Sequence, residues 1–344
     1  MKQKKRLNWV LPLILVVLVL GVAVPIPYYI ESPGDAVSLS KMVTVNHQED
    51  KEKGRFMLTT VAIRRATPLL YFMRFLPFHE GVTKAELYGE VESNQEFNNL
   101  QQYYMTSSVN SAIELAFKTA GESYQTEYNG VYVMSITKNS KFKELLQPGD
   151  TIVSLNDQKF KSSKEFIDYV KKQKIGETIQ VKFKRQGAEK TVKAALIEME
   201  ADKKAGLGIS LVDDTTIKTA IPVDVNTDKI GGPSAGMMFT LEIYSQLKQQ
   251  DLRRGREIAG TGTIAPDGTV GRIGGIDKKV VAASKEGATI FFAPNDEIDP
   301  AIKKKYPEIK TNYEEAKLAA EKINTKMKIV PIKTFQDAIT YLEK

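Results

Sequence analysis

Polar and apolar positions follow several distinct rhythms along this chain. Residues 1–8 are mostly polar and carry Lys2, Lys4, Lys5 and Arg6, while residues 9–30 run without a single charge. At ~1.5 Å per residue, about 20 such residues span the ~30 Å hydrocarbon core of a bilayer. Trp9, Tyr28 and Tyr29 stand where interfacial aromatics belong, and the basic residues ahead of the run place the N-terminus inside. The pattern predicts a cytoplasmic tail over 1–8 and a single transmembrane anchor over 9–30, with the remainder outside the cell membrane. The rival reading is a cleaved signal peptide, with Gly21-Val22-Ala23 as its cleavage site.

Beyond the run, Ser32-Pro33-Gly34-Asp35 reads as a turn. Short strands are expected at 43–46 and 56–63. A short apolar helix over 67–76 either touches a membrane or packs into the core. A longer helix over 95–120 gathers Val109, Ile113, Leu115, Ala116 and Ala120 on one side. Residues 31–124 thus form an N-terminal part of the ectodomain. The rhythm then shortens: strands at 131–136, 151–155, 178–184 and 190–196 surround one amphipathic helix at 163–172. Asn129-Gly130, Pro148-Gly149-Asp150, Asn156-Asp157 and Gln186-Gly187 supply the turns. This predicts a small β-rich module over 125–200. From 201 to 344 strands (219–225, 257–264, 269–273, 288–293, 328–332) alternate with helices (237–248, 277–285, 313–323, 335–342), an α/β pattern. The chain as a whole reads as α+β.

Composition narrows the chemistry. With 344 residues and 42% hydrophobic side chains the chain is long and apolar enough for two folded domains. It has no cysteine, which removes disulfides, thiolate zinc sites and cysteine nucleophiles. Its two histidines, His47 and His79, belong to no motif, so no metal site and no cofactor are expected. The net charge of +7 lies partly in the N-terminal tail, and no basic stripe alternates with aromatics, so nucleic acid is not an expected partner.

The loop Gly231-Gly232-Pro233-Ser234-Ala235-Gly236 opens the helix at 237. Its glycines admit close backbone approach, and unpaired N–H groups at a helix start favour an anion. Three readings of Ser234 follow: a helix cap, a phosphate-loop serine, or a nucleophile whose oxyanion the loop holds. No Gly-Lys-Ser/Thr occurs anywhere, so the loop is not a Walker motif. A nucleophilic serine without a placed histidine needs a lysine base, whose pKa of about 10.4 burial must bring toward 7. Lys279, just after Gly274-Gly275-Ile276, is the plausible base, and its neighbour Lys278 is expected to be solvated.

Gly232-Pro233-Ser234-Ala235-Gly236, Thr261-Gly262 and Gly274-Gly275-Ile276-Asp277-Lys278-Lys279 together resemble the signature blocks of Lon-type serine peptidases. The resemblance implies Ser234 as nucleophile, Lys279 as base, Thr261 as a support for the lysine amine, and backbone N–H groups around Gly232 and Ala235 as oxyanion donors. It continues through 290–295 and 327–342, and 54–60 with 112–120 resemble that domain's first strand and helix. Gly231 and Thr263 depart from the acidic residues common at those places. Leu146-Gln147-Pro148-Gly149-Asp150-Thr151-Ile152 with Asn156 is similar to bacterial PDZ domains, although Asp157 replaces a usual glycine. That likeness implies peptide binding at Gly130, Val131, Tyr132 and Val133.

The whole resembles the membrane-anchored PDZ-containing Lon-type peptidases of Gram-positive bacteria: an N-terminal transmembrane helix and a PDZ-like module inserted in, or preceding, an α/β peptidase domain. It implies an ATP-independent serine endopeptidase that cleaves exported peptides or exposed segments of membrane proteins. The alternative is a non-catalytic PDZ adaptor or chaperone on a degenerate protease fold, and the oligomeric state is left open.

Overall fold

The computed structural model describes residues 12, 14–15, 18–48, 50–89, 91, 93–227 and 230–344. The expected basic tail over 1–8 lies outside these residues, as does part of the expected anchor. The single-pass anchor itself is corrected, and with it the arrangement of a cytoplasmic N-terminus and an extracellular catalytic domain. Among the described residues no helix is long and apolar enough to cross a membrane. The uncharged run is divided: helix is described at 12, 14–15 and 18–23, and by Tyr28 the chain is a strand. Pro25 and Pro27 separate the two, since proline supplies no N–H to a helix interior.

One sheet has six strands. In chain order they are β1 (Tyr28–Ser38), β2 (Arg55–Arg65), β3 (Glu80–Thr83), then, far downstream, Glu257–Gly260, Ile290–Pro294 and Lys328–Ile332. The order across the sheet is Lys328–Ile332, Ile290–Pro294, Glu257–Gly260, β2, β1, β3. The downstream strands and β2 run parallel, and β1 pairs antiparallel with both β2 and β3. Parallel strands buried on both faces read as apolar runs. Ile290–Pro294 is such a run, fully buried.

Between β3 and Glu257–Gly260 the chain builds a second sheet. Its strands are β4 (Tyr124–Ile136), β5 (Thr151–Leu155), β6 (Thr178–Arg185), β7 (Ala188–Ala195) and β8 (Ile209–Thr219), in the order β8-β4-β5-β6-β7, all antiparallel. Its separate core includes Val131, Val133, Phe142, Phe166, Val181 and Phe183. Strand β8 carries this sheet past residue 200, where the sequence pattern ends the module. The β4–β8 ladder finishes with Tyr124 opposite Thr219, so the chain enters and leaves the module side by side.

Four helices concern the site. Helix α1 (Asn94–Ala120) starts with a capping box, Ser93 and Glu96 each accepting from the other's backbone N–H, and ends at left-handed Gly121. Helix α2 (Ser163–Val170) lies on the second sheet, while α3 (Gly236–Lys248) and α4 (Ile276–Lys285) follow the two glycine-rich loops. Helix α3 is buried from Gly236 to Ser245, sandwiched in the main core with Met105, Ala112 and Leu115 of α1. The 67–76 segment is a helical turn, Pro68–Tyr71, followed by 3₁₀ turn Phe72–Phe75. Core packing does not explain it, because Leu69, Phe72, Phe75 and Leu76 are all exposed.

Candidate active site

Ser234 sits in the last turn of loop before α3, and Lys279 on the second turn of α4. The fold brings their tips together: Lys279 Nζ is 2.6 Å from Ser234 Oγ and 3.0 Å from Thr261 Oγ1. Thr261 spends its own proton on the Ser234 carbonyl, 3.0 Å away, so its oxygen is left to accept from the lysine amine. That fixes one Nζ–H on Thr261 and holds the amine within hydrogen-bond reach of the serine hydroxyl. The Ser234 carbonyl also accepts from Gly262 N–H at 2.8 Å, which ties the nucleophile loop to the end of Glu257–Gly260.

Lys279 is 3% exposed and, among the described residues, faces no carboxylate. Burial alone brings its pKa down to about 7, because an ammonium loses more solvation than a neutral amine. Lys278 is the opposite case, and the expectation that it is solvated is corrected. It is buried, with Nζ 3.1 Å from Glu80, 3.6 Å from Asp277 and 3.9 Å from Glu31. Burial works against its charge, but Asp277, Glu80 and Glu31 outweigh it and hold its pKa above the ordinary lysine value.

The loop geometry bears on the three readings of Ser234. The N-cap of α3 is Ala235, with no side-chain cap, so Ser234 does not serve as a helix cap. Gly232, at φ +87°, donates its N–H to the Gln101 carbonyl of α1 at 2.9 Å. The Gly232 N–H, expected among the oxyanion donors, is thus engaged by α1 in this structure. Among the described residues, the Ser234 and Ala235 N–H groups have no partner. Ser108 Oγ donates to the Pro233 carbonyl at 2.9 Å, completing the support from α1. A side chain at Gly231 would place its Cβ 2.8 Å from Gln101 Cβ, which explains the absence of an acid there.

Ser234 and Lys279 open into a cleft of about 700 Å³ between β2 and the Ile230–Ala235 loop. Glu257–Gly260 pairs with β2 only from Arg55 to Leu58. From Thr59 to Ile63 that edge of β2 carries no strand and lines the cleft. Gly275, at φ +64°, brings the α4 start against it, since a Cβ there would stand 2.8 Å from Val61 Cγ2.

In the second sheet, Gly130, Val131, Tyr132 and Val133 lie in β4, hydrogen-bonded to β8 on one side and β5 or its preceding turn on the other. They offer no free edge, so the structure does not gather them into a peptide groove. An apolar groove of about 350 Å³ lies between α2 and the start of β8, with Phe166, Ile167 and Val170 facing Leu207, Ile209 and Leu211. The sequence signal for it is Gly206-Leu207-Gly208-Ile209, a glycine turn running straight into a strand.

Comparisons with known proteins find two families along the chain, whose matched ranges overlap within the second sheet. Residues 113–196 match the PDZ domain family, and residues 189–341 match the Lon protease (S16) C-terminal proteolytic domain. The chain is 28% identical over 152 residues to a Lon protease of Metamycoplasma arthritidis, covering 44% of this chain and 16% of that one. It is 34% identical over 110 residues to a Lon protease of Mycoplasmopsis agalactiae, covering 32% and 11%. The chain thus spans less than a fifth of the length of these curated relatives. Among solved structures, the PDZ domain of an SdrC-like protein from Listeria monocytogenes is 35% identical, covering 25% of this chain and 90% of that one with a TM-score of 0.24. The matches give the chain a PDZ domain together with a Lon-type proteolytic domain, and support a serine peptidase.

Proposed function

We propose that this chain is a serine endopeptidase working through a Ser234–Lys279 dyad, without nucleotide, on flexible peptides or protein segments. The observation that carries the reading is the 2.6 Å contact between Ser234 Oγ and a buried lysine whose pKa lies at about 7. Neutral Lys279 takes the Ser234 proton as Oγ attacks the peptide carbonyl, and the oxyanion rests on the Ser234 and Ala235 N–H groups. The Lys279 ammonium then gives that proton to the leaving amine. Water attacks the acyl-serine with Lys279 again as base, and releases the new carboxylate.

The unpaired Thr59–Ile63 edge supports binding of substrate as an added strand, its carbonyl carried across Ser234. Adding a strand to this edge needs an extended segment with free backbone groups, which flexible peptides and exposed loops present most readily. In this reading the peptidase unit combines the strands of residues 28–83 with the residues from 220 onward, around an inserted PDZ module whose α2–β8 groove takes peptide ends. The test is hydrolysis of a fluorogenic peptide library by the wild type and Ser234→Ala, with and without ATP. Equal cleavage by both proteins would favour the adaptor alternative and a contaminating protease, and a strict ATP requirement would sink nucleotide independence.

A further inference from the structure

Helix α1 holds the nucleophile loop on one side and the PDZ sheet on the other. Toward the loop, the Gln101 carbonyl accepts the Gly232 N–H and Ser108 Oγ donates to the Pro233 carbonyl. Toward the sheet, Asn99 Nδ2 donates to the Pro148 carbonyl at 2.9 Å, and the Tyr103 hydroxyl donates to the Asp213 carbonyl at 3.0 Å. The Tyr103 ring also lies on that of Tyr132, with centroids 4.4 Å apart. Asp213 belongs to β8, and its carboxylate accepts the Ser163 N–H at 2.6 Å, at the first residue of α2. Thus one residue joins both walls of the peptide groove to the helix that holds the catalytic loop.

We propose that a peptide seated between α2 and β8 raises turnover at Ser234 through α1, with Tyr103 as the positioning residue that carries the effect. The proposal rests on the peptidase reading above. In this structure Gly232 N–H is spent on Gln101, and the Ser234 and Ala235 amides are the loop's two unpartnered donors. A peptide strand added to β8 pushes on α2, and Asp213 transmits the load to Tyr103 and so to α1. Hydrogen bonds weaken steeply with angle, so a small shift of Gln101 frees Gly232 N–H as a third donor. One oxyanion donor is worth roughly 10²–10³ in kcat, and coupling between two sites typically amounts to about 5- to 150-fold. The expected response is a rise in kcat of roughly 5-fold or more, with KM unchanged for a substrate too short to reach the groove.

The experiment uses the full chain and a fluorogenic tetrapeptide amide, which has no free carboxylate for the groove. The effector is a pool of octapeptides ending in Val, Leu, Ile or Phe, with the same pool amidated at its C-termini as control. Binding of the pool is read by fluorescence polarisation on Ser234→Ala. The free-acid pool should bind and raise kcat, and the amidated pool should do neither. Tyr103→Phe keeps the ring contact and loses the bond to Asp213. It should bind the pool and keep basal kcat, yet lose most of the rise. Binding without a change in kcat, a full response by Tyr103→Phe, or no binding at all would each overturn the proposal. Peptide cleavage by Ser234→Ala would instead overturn the peptidase reading, so the two failures are distinguishable.

Discussion

At the scale of the residue, Lys279 ties activity and stability to the same proton. Activity of a neutral-lysine base rises as the ammonium is lost, so kcat/KM should climb through a midpoint near the pKa of about 7. A pH–rate profile from 5 to 9 checks this, and a midpoint near that of free lysine would exclude Lys279 as base. Lys279→Arg should be inactive across the range, because a guanidinium stays protonated. Stability has its own sign. The folded pKa lies below the unfolded value, so the unfolded chain holds more protons between pH 7 and 10.5, and stability from this residue rises across that window. Below pH 7 the burial of a charge costs on the order of 5 kcal/mol. Lys279→Met should therefore melt higher than the wild type at pH 6, with the gap narrowing as pH rises; thermal melts at pH 6 and 9.5 test it. The Ser234–Lys279 contact is legible in the sequence because its residues sit in compact blocks near their glycines. The state of Lys278 is not, because Glu31 and Glu80, its long-range partners, are about 250 and 200 residues away in sequence and meet it only through the sheet.

At the scale of the element, α3 carries a second buried titration that nothing in its local sequence announces. Glu242 is fully buried beside Gln246, whose amide donates to it at 2.8 Å, and near Arg253 and Asp50. Burial pushes Glu242 up to about 8; Arg253 pulls it down, and Asp50 works against Arg253. Asp50 keeps its charge: burial raises its pKa, but the charge of Arg253 and the bonds from Arg253, the Glu52 N–H and Glu242 together outweigh this and hold it below the usual value. The trio is then neutral at pH 7, which is the arrangement a dry interior tolerates. Because the folded pKa of Glu242 exceeds the unfolded 4.5, its contribution to stability is full below pH 4.5 and lost as pH rises toward 8. Glu242→Gln should gain on the wild type over that window, by on the order of 5 kcal/mol at most. Urea midpoints at pH 5 and 8 measure it, and parallel shifts of both proteins would refute the assignment. Helices α1, α3 and α4 are all foreseeable from periodicity and glycine punctuation. Strand β8 is not: Asp213, Asp214, Thr215 and Thr216 fill its middle, and bulges at Ser210/Leu211 and Asp214/Thr215 break the alternation that marks a strand. The groove beside α2 is hidden in the sequence for the same reason, since its edge strand is the one without a pattern.

At the scale of the whole molecule, the PDZ sheet hangs on a two-stranded stem, with Tyr124 beside Thr219. Replacing residues 126–217 by a short Asn-Gly hairpin turn should leave the six-strand sheet folded and basal tetrapeptide cleavage measurable, while abolishing any response to free-acid peptides. Circular dichroism and the fluorogenic assay together decide it; an unfolded product would show that α1 needs the PDZ surface to hold its place. The order of β2 in the sheet has a further consequence, in time rather than space. Strand β2 pairs Arg55 with Glu257, so its parallel partner is made about 200 residues later in the chain. At roughly 5–20 residues per second, a ribosome needs about 10–40 s to supply that partner. During the interval the inserted module, whose strands pair locally, has ample time to fold, while Phe56, Met57 and Leu58 wait without the neighbour that covers them in the finished protein. The nascent chain thus passes through a period in which its central strand is a half-covered edge, open to whatever chaperone or stray strand reaches it first.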